Sequence, residues 1–338
     1  MNRQIVFTKV NTAELLDVEY RKPNCNEVVV KTSFSTISCG TEKANITGDP
    51  NVAGSADASV IFPRTSGYSS AGVVVEKGDG VSDIEIGDRV VVYWGKHTAY
   101  NTVPQSQVVK IPDESISFEE AALTFISTFS LAAIRKTKLE IGESAIVMGL
   151  GLLGQFAVKL LKAAGAVPVI AVDPVESRRE EALRCGADYT LSPFEGGFTD
   201  KVKNLTNGGA NVGIEVTGIG QGFDGILDCM AKFGRVALLG CTRDKNFTID
   251  YYRKIHFPGI TVIGAHTMAR PDVESSPAYF THTDDIKSIL KLLSGKRIDL
   301  KSMIKETHKP ENCGDVYARL INDKDFPTVV QFDWRETE

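Results

Sequence analysis

Nowhere in the 338 residues is there an uninterrupted apolar run of the roughly 18 residues that a membrane span needs, and the opening MNRQIVFTKVNTAEL lacks the apolar stretch of a signal peptide. Neither a membrane partner nor secretion is expected, and a cytoplasmic protein is. Basic residues are in deficit: 38 Lys and Arg against 43 Asp and Glu leave a formal net charge of -5. Without a broad cationic surface, nucleic acid is not an expected partner. The six cysteines, Cys25, Cys39, Cys185, Cys229, Cys241 and Cys313, form no CxxC pair and no close cluster, so neither a disulfide framework nor a structural zinc knot is expected. Internal repeats and low-complexity segments are lacking as well.

What remains is the composition of an ordinary globular enzyme, 42% hydrophobic and 24% charged. Domains commonly run roughly 100–200 residues, so this length suggests two. Through residue 112, short β-rich runs (NEVVVKTSFS, AGVVVEKGDG, GDRVVVYWG, SQVVKIP) end near Gly, Pro or Asp, which reads as a compact β-barrel-like domain. FEEAALTFISTFSLAAIRKT then has helical apolar spacing and no proline, as a buried bridging helix would. Beyond it strands and helices alternate from ESAIVMG to GITVIGA, the order of a parallel sheet covered on both faces. Helices at DDIKSILKLLSGK and GDVYARLIND and a strand at PTVVQFDW follow, and the tail is expected to return to the first domain. The expected boundaries are 1–138, 139–269 and 270–338.

The strongest motif is AIVMGLGLLGQFAVKLLKAAGA, where Gly149, Gly151 and Gly154 form GxGxxG between an apolar strand and an amphipathic helix. In a Rossmann, doubly wound α/β fold the first glycine permits the tight turn, the second admits the pyrophosphate and the third lets helix and strand pack closely. The phosphates then sit on the helix N-terminus, near Leu152 and Leu153, where free N–H groups and the helix dipole favour negative charge. The next strand ends at Asp173, 19 residues beyond Gly154, and its carboxylate can accept both adenosine-ribose hydroxyls. A 2′-phosphate there would meet like charge, about 4 kcal/mol at about 4 Å and an effective dielectric of about 20. NAD is therefore the expected cofactor and NADP the less favoured one, although Arg178 and Arg179 stand close enough in sequence to neutralise a phosphate. Thr217 and Gly218, ending GIEVTG at the sheet's carboxyl edge, are expected cofactor neighbours.

Five landmarks run in one order: Ser38-Cys39-Gly40-Thr41-Glu42, Gly67-Tyr68-Ser69, Gly87-Asp88-Arg89-Val90, the helix around Ser127-Thr128, and Gly149 to Gly154. Together they resemble the medium-chain dehydrogenase/reductase superfamily, on its sorbitol- and threonine-dehydrogenase side, including zinc-lacking branches such as the bacteriochlorophyllide dehydrogenase-like proteins. The resemblance spans nearly the whole chain and implies a Rossmann domain inserted into a GroES-like β-barrel catalytic domain. It also implies cofactor contact for Thr128, whose alternative is a hydroxyl bonded back to its own helix.

Departures from the family pattern bear on the chemistry. Catalytic zinc takes three protein ligands, and the resemblance assigns only Cys39 to one of them. The family's His ligand is Tyr68 here, its Glu neighbour is Ser69, and the third ligand position falls on Thr124 or Phe125. The four-cysteine zinc lobe that relatives carry after GDRV is missing, and the family's relay His is Ala44. A metal-free enzyme is expected, in which a side chain handles the substrate's proton. The candidates are Tyr68, or else a plug of the vacated site; Lys43, a proton acceptor if desolvated, or else an exposed lysine; His97, near the substrate in relatives, or else a hydrogen-bonded core histidine; and Glu42, a supporting acid.

These residues point to an NAD-dependent dehydrogenase acting on a secondary hydroxyl of a polyol, cyclitol or sugar-like small molecule. A zinc-free reductase of activated C=C bonds and a non-catalytic NAD-binding sensor are the alternatives. His266, Tyr279 and His282 are read as a substrate wall or a subunit contact. GITVIGA, apolar and last in the alternation, is the expected open edge through which a homodimer or tetramer would form.

Overall fold

The computed structural model describes residues 1–49, 61–242 and 246–337. The chain divides into two compact units, Met1–Ile126 with Ile286–Glu338, and Ser127–Asp285. The first unit begins with β1 (Asn2–Lys9), β2 (Thr12–Val18), β3 (Glu27–Thr36), α1 (Cys39–Thr47), β4 (Arg64–Thr65), β5 (Ser69–Lys77), β6 (Arg89–Tyr93), β7 (Tyr100–Pro104) and β8 (Val108–Lys110), followed by the long helix α2 (Phe118–Lys136). Next come β9 (Ala145–Met148), α3 (Leu152–Ala163), β10 (Val169–Val172), α4 (Glu176–Arg184), β11 (Tyr189–Leu191), α5 (Phe198–Leu205), β12 (Ala210–Glu215), α6 (Gly220–Asp228), β13 (Met230–Leu238) and β14 (Thr261–Gly264). The chain continues with α7 (His282–Ser294), β15 (Glu306–His308), α8 (Cys313–Asn322) and β16 (Val330–Asp333).

Strands β9 to β14 make one parallel sheet in the order β11-β10-β9-β12-β13-β14. This is the doubly wound order, in which the two halves diverge from β9 and β12 and leave a crevice at the strands' carboxyl ends. The reason is legible in β9 (AIVM) and β10 (VIAV), every residue of which is buried. A strand covered on both faces has no polar side and reads as a continuous apolar run. Ile146, Ile170, Ile226 and Val236 form the centre of its core.

The first unit is built on a seven-stranded sheet ordered β15-β16-β3-β5-β6-β8, with β7 also on β3, and a three-stranded sheet ordered β2-β1-β4. Pairing of Gln331 with Thr36 joins β16 antiparallel to β3 and returns the tail to this unit. Phe7, Tyr317, Phe332 and Trp334 share its main core.

Where the sequence reading placed boundaries after residues 138 and 269, the second unit starts inside α2 and extends to Asp285. Side chains account for that extension. The buried Asp285 carboxylate lies 2.8 Å from Arg135 Nε and 3.1 Å from Arg270 Nη1, and Arg270 Nη2 donates to the Thr128 carbonyl at 3.3 Å. A buried carboxylate needs such partners, and these fasten residues 270–285 to α2. No helix among the described residues is long and apolar enough to cross a membrane.

Candidate functional site

The dinucleotide loop lies wholly within the second unit. Gly149 leaves β9 with φ +96°, and a Cβ there would fall 2.9 Å from Thr217 Cγ2. A Cβ at Gly154 would come within 2.0 Å of the Gly149 carbonyl oxygen, so the helix sits on the turn only because Gly154 has no side chain. Gly151 is different. It caps α3 with φ -69° and ψ -169°, which any residue can adopt, and none of the described residues lies within 4 Å of a Cβ built there. No atom of the described residues demands glycine at 151; the open space in front of the first turn of α3, including Leu152 and Leu153, fits a phosphate group approaching backbone N–H donors.

Asp173 directly follows β10 and is almost fully buried. Its Oδ2 accepts the Leu150 N–H at 2.8 Å, its Oδ1 accepts the Val175 N–H at 2.9 Å, and Arg178 Nη1 lies 3.8 Å away. Each oxygen keeps a further lone pair for a ribose hydroxyl. Arg179 is engaged elsewhere, donating to the Asp173 and Pro174 carbonyls, so Arg178 is the arginine beside the carboxylate. Gln155, which the sequence reading passed over, donates to the Leu150 carbonyl at 3.1 Å and the Arg178 carbonyl at 2.8 Å, joining loop to α4. Thr217 follows β12 and stands beside Gly149, with Gly218 next in the chain. Thr128 is fully buried in α2, and its carbonyl accepts from Arg270. His266 and Tyr279 are exposed, whereas burial and then the nearby Arg270 push the His282 imidazole down to about 3.

In the first unit, α1 starts directly after β3 and carries Cys39, Glu42 and Lys43. The half-buried Tyr68 hydroxyl donates to Ser38 Oγ. Its ring packs on Trp94 and edge-on against Phe125, with centroids 5.5 and 5.8 Å apart. Cys39 Sγ is 3.7–3.9 Å from the carbonyl oxygens of Ile37, Pro327 and Thr328.

Glu42 and His97 form a closed network. Glu42 is 1% exposed and His97 0%. The Glu42 carboxylate meets His97 Nε2 at 3.1–3.2 Å and accepts from the Tyr317 hydroxyl and the Ser38 N–H. His97 Nδ1 pairs with Ser35 Oγ at 2.7 Å, and the Trp334 indole donates to the same oxygen. Burial pushes the Glu42 carboxyl up, but attraction to His97 and the hydrogen bonds outweigh it and hold the group below the usual carboxylate range. Both residues therefore support the site from inside the core, which corrects the reading of His97 as a substrate-facing acid or base. Lys43 is corrected too: it is exposed, and its ammonium donates to the Ile321 carbonyl at 2.9 Å, fastening α1 to the end of α8.

Catalytic zinc requires three protein ligands and an open position. Ser38, next to Cys39 in the chain, pairs its hydroxyl with that of Tyr68, while Glu42 is engaged by His97 and Tyr317, and Thr124 returns its hydroxyl to the Ala121 carbonyl at 2.7 Å. Among the described residues no cluster of three or more His, Cys, Asp or Glu side chains could hold a metal. This donor set does not fit a catalytic zinc ion.

Comparisons with known proteins cover both units. Residues 24–113 match the family profile described as alcohol dehydrogenase GroES-like domain, and residues 153–280 the one described as zinc-binding dehydrogenase. L-threonine 3-dehydrogenase of Pyrococcus horikoshii is 32% identical over 286 residues, 75% of this chain and 79% of that protein. D-guloside 3-dehydrogenase of Escherichia coli is 28% identical over 80% of this chain and 82% of its own length. Among solved structures, 2R,3R-butanediol dehydrogenase from Bacillus subtilis superposes with a TM-score of 0.84 at 22% identity, covering 98% of this chain and 99% of that one.

Proposed function

The chain belongs to the medium-chain dehydrogenase/reductase superfamily and is an oxidoreductase, and on that premise we propose that it moves hydride between a secondary alcohol and NAD without a zinc ion. The substrate is a polyol, a cyclitol or a sugar-like compound. The observation that carries the zinc-free reading is the Tyr68–Ser38 hydroxyl pair beside Cys39, with the neighbouring carboxylate of Glu42 already engaged.

When bound, NAD supplies the hydride acceptor, and NADH the hydride donor in the reverse direction. Space at Gly151 and the first-turn amides of α3 support pyrophosphate binding, and the held carboxylate of Asp173 supports ribose binding and NAD over NADP. Tyr68 handles the proton: in reduction its O–H turns from Ser38 Oγ to give its proton to the substrate oxygen, the Ser38 hydroxyl then donating to the phenolate, and in oxidation that phenolate takes the hydroxyl proton. Ser38 fixes the direction in which the phenol points. The resulting balance is alcohol plus NAD to ketone, NADH and one proton.

The same reading makes the protein a homodimer or a tetramer of dimers. β14 is the last strand of the parallel sheet, and its Thr261 and Val262 are exposed.

A panel of polyols, cyclitols, sugars and simple secondary alcohols, offered with NAD and then NADP while nicotinamide absorbance is followed, tests the proposal. Turnover with NAD on at least one polyhydroxy substrate is expected. NADH binding without oxidation of any of them, joined by turnover of an activated enone, would transfer the assignment to C=C reduction; binding with no turnover at all would make the protein a sensor.

A further inference from the structure

At the carboxyl end of β12, beside the dinucleotide loop, lies a buried carboxylate that the proposed chemistry does not use. Glu215 is 3% exposed. Its Oε1 accepts the Thr217 N–H at 2.7 Å and the Thr217 hydroxyl, and the Gly218 N–H lies 3.2 and 3.3 Å from its two oxygens. The Thr217 hydroxyl in turn accepts the Ile219 N–H at 3.2 Å, at the cap of α6. One side chain thus dictates the shape of the whole 215–219 turn.

That turn is interlocked with the loop that the cofactor needs. Thr217 Cγ2 would stand 2.9 Å, and Thr217 N 3.1 Å, from a Cβ at Gly149, so Thr217 occupies the space that the missing side chain of Gly149 leaves. Gly218 is held from the other side, at φ +66°, with the Cys241 carbonyl 2.4 Å from where its Cβ would lie. A turn free to move at Thr217 would let Gly149 and Leu150 move, and with them the amides in front of α3. Burial pushes the Glu215 carboxyl above the usual carboxylate range, against the opposing pull of its Thr217 and Gly218 hydrogen bonds, so the group is kept there at a cost to its charged form.

We infer that Glu215 is a positioning residue for the cofactor, holding Thr217 against Gly149 so that the dinucleotide loop is preformed before NAD arrives. The inference rests on the cofactor reading given above. Preorganised loops bind tighter because ordering is not left to the binding event.

The test is fluorescence titration with NADH, alongside thermal melting and the KM for NAD. Glu215→Ala is expected to weaken NADH about tenfold, the scale of one lost buried hydrogen-bond set, and to raise the KM for NAD while kcat stays within about twofold. Glu215→Gln keeps an acceptor oxygen for Thr217 and is expected to restore most of the affinity. Should the alanine variant fail to fold, Thr217→Val decides, since it keeps the packing on Gly149 but drops the hydroxyl link: weaker NADH binding supports the inference and unchanged binding overturns it. Glu215→Ala binding NADH like the wild type overturns it, as does a glutamine variant no better than alanine with both merely melting lower. If the wild-type protein binds neither NADH nor NADPH, the cofactor reading itself fails and this inference with it.

Discussion

The Tyr68 hydroxyl donates to Ser38 Oγ across 30 positions of sequence, and the Ser38 N–H donates to Glu42 at 2.8 Å. A phenol at the candidate centre is thereby tied, through one serine, to a carboxylate that never reaches the surface. Proton handling and its support are separate tasks in this arrangement. Tyr68→Phe is expected to lower kcat about a hundredfold, the low end of what a positioned acid or base contributes, with NADH affinity unchanged. Ser38→Ala is expected to lower it less. Steady-state kinetics with NADH titration check both, and a fully active Tyr68→Phe would remove Tyr68 from the chemistry.

Two glycines of one motif should answer to different measurements. Gly154→Ala drives a Cβ to within 2.0 Å of the Gly149 carbonyl, so a loss of about 1–3 kcal/mol in stability is expected from overpacking. Gly151→Ala meets no atom of the described residues within 4 Å. Its melting temperature should match the wild type while NADH affinity falls about tenfold or more. Equal NADH affinity in Gly151→Ala and the wild type would count against pyrophosphate binding in front of α3.

Acid should unfasten the core beneath α1. Because the folded-state pKa of Glu42 is held below its ordinary value, its contribution is complete above the ordinary glutamate range and is lost as pH falls through the lower, folded-state value. Glu42→Gln should therefore be less stable than the wild type at neutral pH, with the gap closing on acidification below the ordinary glutamate range. Denaturant midpoints measured across that range check it; a gap independent of pH would mean that the Glu42 charge contributes nothing.

Association through β14 is the fourth expectation. Val262→Lys places a charge on an exposed edge residue and should shift light-scattering mass toward the monomer without lowering the melting temperature of the isolated subunit. A variant with the wild-type mass would place the interface elsewhere.

Local patterns made the Rossmann half readable. GxGxxG, the apolar runs of β9 and β10, and Asp173 at a strand end are each fixed by neighbours a few residues away, and the parallel sheet follows from their alternation. Tyr68 was legible for a different reason, as a departure from a family pattern. The network around it was not. Glu42 meets Tyr317 across 275 positions and His97 across 55, contacts with no period in the sequence, so only the fold shows that the candidate histidine and its supporting acid are both core. Lys43 misled similarly, because its exposure is decided by the packing of α1 beside α8. Glu215 carried one signal, an acid closing the apolar run of β12, but only the fold shows that its partner touches Gly149.

The central claim is hydride transfer without zinc. Its most direct test is turnover by chelator-stripped protein, with residual zinc quantified, on the best polyhydroxy substrate with NAD, before and after a stoichiometric addition of zinc. The account expects full activity at negligible zinc content and no gain on addition. Activity that vanishes on stripping and returns in proportion to added zinc would contradict it.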